Sequence, residues 1–424
     1  MTRAHLRSAA RGILRAGLAA VEPGRLVRRH LRTNGNALRI AGFPVRPRRL
    51  FVVSVGKAAV SMARAAHDIL GHRLTAAIVI APGKAPRMAR TRSFVAGHPV
   101  PDAAGVRASR RVIGLLEGSG RGDVVLLLLS GGASALMPAP IEGVTLRDKQ
   151  RVTGTLLLQG ATVGEMNAVR KRLSRLKGGG LARLAAPARV FTLAISDVPG
   201  DDPGTIGSGP TIEDATARAA ALRAIRKYFK GEAVPAGVAR ALKRRMTKAP
   251  SASRPRTMVI GSGRTFAEAA AREARARGFR ALLRPDALRG EARACGPDLV
   301  AKFEGVRGRG PSCLIATGET VVIVRGLGLG GRNQELALSS IETLARCSRP
   351  TALAAFATDG KDGPTNASGG LVDDATARQA KARGVSIPAA LDLNDSGAAL
   401  ERLGGLIVTG PTGTNVADVT LVVG

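Results

Sequence analysis

Val124–Leu129 is an unbroken run of Val and Leu, preceded by Gly122-Asp123 and followed by Ser130-Gly-Gly-Ala-Ser134. Six residues are too few to span a membrane and lack helical spacing, so the run predicts a strand buried on both faces of a parallel sheet. Leu50–Val55, Ala76–Ile80 and Val190–Ser196 repeat the pattern. Between them Ala58–Leu70, Ala103–Leu116, Leu146–Ala161 and Glu165–Leu176 carry apolar residues at helical spacing. Strands alternating with helices at this pitch predict right-handed βαβ units.

The rhythm restarts with a strand at Thr257–Ile260 and a helix at Thr265–Arg277. Ser312–Ala316 and Thr320–Val324 flank the tight Thr317-Gly318-Glu319, which predicts a hairpin and therefore a mixed sheet. A helix at Gln334–Cys347 and strands at Leu353–Thr358, Leu406–Val408 and Val419–Val423 complete this half. The expected architecture is α/β: two three-layer α/β/α domains, the first with a mainly parallel, doubly wound sheet, the second with a mixed one. A basic helical stretch, Ala215–Lys248, leads into Ala249-Pro-Ser-Ala-Ser-Arg-Pro255, whose composition marks a linker. The domains are thus expected at 1–248 and 256–424, with the linker at 249–255.

Composition adds limits. The 424 residues suit two domains, and 45% apolar content supplies substantial cores, although aromatic residues make up only 2%. The net charge of +34 invites a nucleic-acid reading. Arginines are nevertheless scattered from Arg3 to Arg402, and no basic segment is interleaved with aromatics for base stacking. A specific nucleic-acid partner is not expected; attraction of anionic small molecules is. Cys295, Cys313 and Cys347 lack metal-ligand spacing and read as reduced thiols of a cytoplasmic protein. Arg3, Arg7, Arg11 and Arg15 beside Leu6, Ile13 and Leu14 describe an amphipathic first helix in preference to a transit peptide. No apolar run is long enough for a membrane helix.

Chemistry gathers after the strands. Ser130, Gly131, Gly132 and Ser134 bring hydroxyls and unhindered backbone to the edge where open α/β sheets bind ligands, which suits a small polar or anionic molecule; a ligand-free turn is the alternative. Lys57 stands at a predicted helix start, where a cation is disfavoured unless an anion joins it. Asp197, Asp359 and Asp362 follow apolar strands in Gly-rich loops, as an Mg²⁺ ligand or base would, and also as caps would. Gly326-x-Gly328-x-x-Gly331 fits the dinucleotide fingerprint, with Asp359 near the place of a ribose-binding acid. An NAD(P)H-dependent oxidoreductase is therefore an alternative function.

In order along the chain stand Val55-Gly-Lys-Ala58, Gly97-His-Pro-Val-Pro-Asp102, Leu129-Ser-Gly-Gly-Ala-Ser-Ala135, Asn167-Ala-Val-Arg-Lys171, Leu176-Lys-Gly-Gly179, Ile195-Ser-Asp197 and Gly207-Ser-Gly-Pro-Thr211. Gly330-Gly-Arg-Asn-Gln-Glu335, Ala357-Thr-Asp-Gly360, Asp362-Gly-Pro-Thr365 and Gly410-Pro-Thr-Gly-Thr-Asn415 follow. The ordered set resembles the class II glycerate kinase family, whose C-terminal part is the MOFRL domain. That resemblance implies ATP- and Mg²⁺-dependent phosphorylation of D-glycerate at its 2-hydroxyl, in a cleft between two α/β domains. It implies catalytic roles for Lys57 and Arg332, to which we add Asp197. Ligand contacts are expected from Ser130, Gly131, Gly132, Ser134, Asn167, Arg170, Lys177, Asp359 and Asn415, with Asp197 and Asp359 as metal ligands. The substrates are small molecules, no membrane partner is expected, and the protein is a monomer or homodimer. Some relatives are labelled hydroxypyruvate reductases, a second reason for the oxidoreductase alternative. Arg172 and Gly180 stand where the family is expected to carry a histidine and an arginine, and Asn366 where an aspartate is frequent.

Overall fold

The βαβ rhythm of the first half becomes a doubly wound sheet in the unit Pro23–Ile260 of the computed structural model. The structure describes residues 1–35, 37–214, 217–230, 233–244 and 255–424. Three short strands, β1 (Leu31–Asn34), β2 (Ala37–Ile40) and β3 (Phe43–Val45), form a small antiparallel sheet. The main sheet contains β4 (Leu50–Val55), β5 (Ala76–Ala81), β6 (Thr91–Val95), β7 (Val124–Leu129), β8 (Arg189–Ile195) and β9 (Arg256–Gly261). Their order is β6-β5-β4-β7-β8-β9, with parallel pairing across β6-β5-β4-β7-β8. Every residue of β4 and β7 is buried, as their all-apolar sequences require.

The chain lays β4, β5 and β6 outward on one side, then returns to lay β7 and β8 outward on the other. The order therefore reverses between β4 and β7, the point where open α/β sheets form ligand crevices. Leu50 pairs with Val124 and Val55 with Leu129, so both strands deliver their loops at the same level.

The second unit combines Met1–Glu22 with Gly261–Gly424. Its strands are β10 (Arg280–Leu283), β11 (Ser312–Gly318), β12 (Ala352–Ala357), β13 (Gly369–Asp373), β14 (Leu406–Ile407) and β15 (Asp418–Val423), in the order β10-β11-β15-β12-β13-β14. Only β10 and β11 pair in parallel; the other pairs are antiparallel, giving the expected mixed sheet. Helices Ala292–Val306, Arg332–Ser339 and Ser396–Leu403 bury Leu299, Phe303, Leu336, Leu338 and Leu400 in a core shared with Leu314, Leu353 and Val422.

Three expectations change. The amphipathic helix forms over Arg3–Ala20, but it packs on helix Gly263–Ala276 and on β12 and β15, so it belongs to the second unit. Leu6, Ala10 and Ile13 are buried there, and Arg7 pairs with Asp373 at 2.9 Å. Strand β9, expected to open the second sheet, instead closes the first beside β8. The division is therefore not 1–248 and 256–424, and 249–254 of the expected linker lies outside the described residues. Finally, Thr320–Val324 forms no hairpin strand. Both edges of β11 are already taken by β10 and β15, leaving Val321 a single bridge to Glu291. Among the described residues no helix is long and apolar enough to cross a membrane.

Candidate active-site residues in each unit

In the first unit the residues meet where β4 and β7 end. Gly56, at φ 130°, turns the chain out of β4, and the Lys57 amide donates to the Gly131 carbonyl at 2.8 Å. The Ala58 amide donates to Ser130 Oγ at 3.0 Å, and a Cβ at Gly56 would lie 2.1 Å from that oxygen. Ser130 is fully buried, so it holds the two loops together and is not presented to a ligand. Gly132 adopts the left-handed conformation, φ 84°; a Cβ there would meet the His98 ring at 2.9 Å and lie 3.5 Å from Lys57 Cγ. The loop is thus flanked by Lys57 and His98. Among the described residues the amides of Gly131 and Gly132 have no acceptor, a backbone arrangement suited to an anion.

Behind this loop, Ser134 Oγ lies 3.0 Å from Ser208 Oγ, which donates to Asn167 Oδ1 at 2.8 Å. Asn167 is buried, so this network fixes the loop against the Gly207–Gly209 turn. Lys177, expected to bind ligand, is 1% exposed. Its ammonium donates to the Ser134 and Met137 carbonyls at 2.9 and 3.1 Å, so it clamps the loop from behind. Burial, with Lys149 and Arg170 nearby, pushes its pKa well below the ordinary lysine value. Arg170 is half-buried, has no hydrogen-bond or ion-pair partner among the described residues, and burial alone depresses its pKa. A desolvated guanidinium with no partner among the described residues suits an anion. Asp197 follows buried Ser196 at the same edge, half-buried.

The family departures find local explanations in two cases. A Cβ at Gly180 would sit 2.1 Å from the Arg175 carbonyl oxygen, so this backbone has no room for a side chain. Arg172 is buried and donates to the Ala241 carbonyl at 3.4 Å, tying helix Val163–Arg172 to helix Ala236–Lys243. Nothing in the structure explains Asn366, which is exposed.

In the second unit the ends of β11 and β12 meet the start of β15: Asp418 pairs with Gly318 and with Ala357. Arg332, the first residue of its helix, grips Asp418 through Nε and Nη2, the latter at 3.0 Å, and Glu319 through Nη1 at 2.7 Å. Burial works against the charge, but the Asp418 hydrogen bonds and the charges of Asp418, Glu319 and Asp362 outweigh it and hold the guanidinium above its ordinary pKa. A cavity of about 600 Å³ opens beside Arg332, lined by Glu319, Val321, Val324, Gly330 and Pro364. Asp359 and Asn415 lie in the two loops at this edge, joined by Thr412 N–H to the Asp359 carbonyl at 3.3 Å.

Asp362 takes the capping role. Its carboxylate accepts from the amides of Asn333 and Gln334 at 3.1 and 2.8 Å and from both of their side chains. This also removes the dinucleotide reading. The helix N-terminus that would receive a pyrophosphate already holds a carboxylate. The fingerprint glycines are spent on chain packing, since Cβ atoms at Gly326 and Gly328 would strike Leu393 and Asp395 at 2.5 and 2.4 Å. Among the described residues no group of three His, Cys, Asp or Glu is placed to hold a metal. Asp197 and Asp359 belong to no such group.

His98, Ser208 and Glu319 stand inside short segments noted above, while Asp418 lies between the 410–415 loop and the last strand, and none of the four is marked by its segment. Their partners lie on other segments, so spacing alone carries no signal.

Comparison with known proteins places these features in a family. Residues 9–243 match a domain of unknown function (DUF4147), and residues 312–418 match the MOFRL family. The chain is 40% identical over 381 residues to a D-glycerate 2-kinase of Thermotoga maritima, covering 88% of this chain and 90% of that protein. It is 39% identical over 398 residues to a putative hydroxypyruvate reductase of Agrobacterium vitis, covering 90% and 88%. The crystal structure of a glycerate kinase from Thermotoga maritima superposes with a TM-score of 0.87 at 38% identity, covering 99% of each chain. The chain belongs to the class II glycerate kinase family.

Proposed function

We propose that the protein is an ATP-dependent D-glycerate 2-kinase of the cytoplasm. The observation that carries this reading is the anion-suited loop at the β4–β7 reversal, with Lys57 beside it, in a chain 40% identical to a D-glycerate 2-kinase. The glycerate 2-hydroxyl oxygen forms a bond to the γ-phosphorus as the bond to the β–γ bridging oxygen breaks, yielding 2-phosphoglycerate and ADP. Asp197 accepts the hydroxyl proton. Lys57 and the Gly131 and Gly132 amides stabilise charge on the transferred group, because phosphoryl transfer depends on positioning and electrostatics. Arg332 binds an anionic oxygen through its remaining N–H groups. When bound with ATP, Mg²⁺ would neutralise phosphate charge; Asp197 of the first unit and Asp359 of the second are each a candidate carboxylate contact for it. The unbridged Cys295, Cys313 and Cys347 support a reducing compartment.

The test is incubation with ATP, Mg²⁺ and D-glycerate, followed by phosphorus NMR of the product. 2-Phosphoglycerate is expected; NADH oxidation by hydroxypyruvate without ADP formation from glycerate would refute the reading. Lys57→Ala is expected to lower kcat by at least about a hundredfold, the scale of losing one electrostatic stabiliser. Circular dichroism checks that the variant remains folded.

A further inference from the structure

Arg332 is held by two carboxylates in different surroundings. Asp418 lies at the start of β15, its side chain 8% exposed, and it grips Nε and Nη2. Glu319 is 48% exposed, pairs with Nη1 at 2.7 Å, and borders the 600 Å³ cavity that opens beside the guanidinium. A buried two-point pair is fixed by its geometry, and removing one partner strands the other charge. A half-exposed pair contributes little and is readily exchanged.

We infer that Asp418 is the positioning residue for Arg332, whereas Glu319 is an internal stand-in for the substrate oxyanion and is displaced when that anion enters the cavity. The inference rests on the kinase reading for the identity of the anion, a carboxylate of glycerate or a phosphate of ATP. Exchange conserves local charge: one carboxylate leaves Nη1 as another oxyanion arrives. Nη1 therefore never stands in the cavity without an anionic partner, and Asp418 sets the orientation of the group before substrate binds. Glu319 also acts as a filter, since a neutral molecule gains nothing by displacing it.

The test uses Glu319→Gln and Asp418→Asn in the full chain, with calorimetric titration of ATP and of D-glycerate and turnover measured on the same samples. Glu319→Gln should bind one of the two about three- to fivefold more tightly, the scale of one half-exposed ion pair. The ligand that gains identifies the oxyanion. Unchanged or weaker binding of both ligands would overturn the stand-in role. Asp418→Asn should lower kcat by about tenfold or more with a smaller change in KM. A specific readout comes from Arg332→Ala: added guanidinium ion should restore part of its turnover when Asp418 is present and none in the Arg332→Ala/Asp418→Asn double variant. Equal rescue in both would show that Asp418 does not position the group. A wild-type protein that never phosphorylates glycerate would defeat the kinase reading, yet the Glu319→Gln titrations would still decide the stand-in.

Discussion

Asp362 shows how a residue's role is decided by what approaches it. Its sequence position after an apolar strand suits a metal ligand, a base or a cap. Two backbone amides and two side-chain amides converge on its buried carboxylate. Burial raises its pKa, while those donors act in the opposite direction. Asp362→Ala would leave buried donors without partners, and each unsatisfied group costs about 1–3 kcal/mol. We expect a stability loss of about 2–4 kcal/mol, read from the urea midpoint at neutral pH. A loss under about 0.5 kcal/mol, the range of an ordinary surface substitution, would reject the capping role. The placement of Lys57 and Arg332 at the loop edges was legible because short motifs carry them. Glu319 and Asp418 were not, because the contact between Arg332 and Asp418 spans 86 positions and no local pattern marks it.

Among the elements, β4 and β7 were legible because burial on both faces leaves only apolar residues. Gly369–Asp373 was not recognised as β13, because two of its five residues are glycines with no side chain to show a pattern. Val321–Val324 misled in the opposite direction: an apolar run predicts a strand only where a neighbour has a free edge, and β11 has none. Helix Leu146–Leu158 contains a further case that periodicity conceals. Its Lys149 is buried and donates to the Leu173 carbonyl at 3.0 Å, joining this helix to the end of Val163–Arg172. Burial first, then the charge of Arg170, lowers its pKa from 10.5 to about 7. The folded state therefore binds fewer protons than the unfolded state between pH 7 and 10.5, so this group makes stability rise with pH across that window. The slope has a ceiling of about 1.4 kcal/mol per pH unit. Lys149→Met removes the titrating group, so denaturation at pH 7 and pH 9 should show a smaller gain for the variant than for wild type. Equal gains would mean that Lys149 does not lose its proton on folding.

At the scale of the whole molecule, the family matches divide the chain into consecutive segments, while the structure does not. Residues 9–243 form one match, yet the helix Arg3–Ala20 at its start belongs to the unit built from Gly261–Gly424. That helix places Leu6, Ile13 and Leu14 in the core, and a Cβ at Gly17 would lie 2.3 Å from the Phe266 ring. At the other end, Thr414 Oγ1 donates to the Val21 carbonyl at 3.0 Å, which ties the residue after the helix to the 410–415 loop. Burying three such aliphatic side chains contributes about 1.5–3 kcal/mol each. That sum is comparable with the entire stability of a small unit, about 5–15 kcal/mol. The fragment 261–424 alone should therefore expose an apolar stripe and fail to fold cooperatively. Adding a synthetic peptide of residues 1–22 should restore a sigmoidal urea transition whose midpoint rises with peptide concentration, because a ligand binding only the folded state stabilises it by mass action. A peptide with Leu6, Ile13 and Leu14 changed to Ser should not restore it. If 261–424 folds cooperatively by itself, with a midpoint indifferent to the peptide, the N-terminal helix is a covering layer and not part of that unit's core.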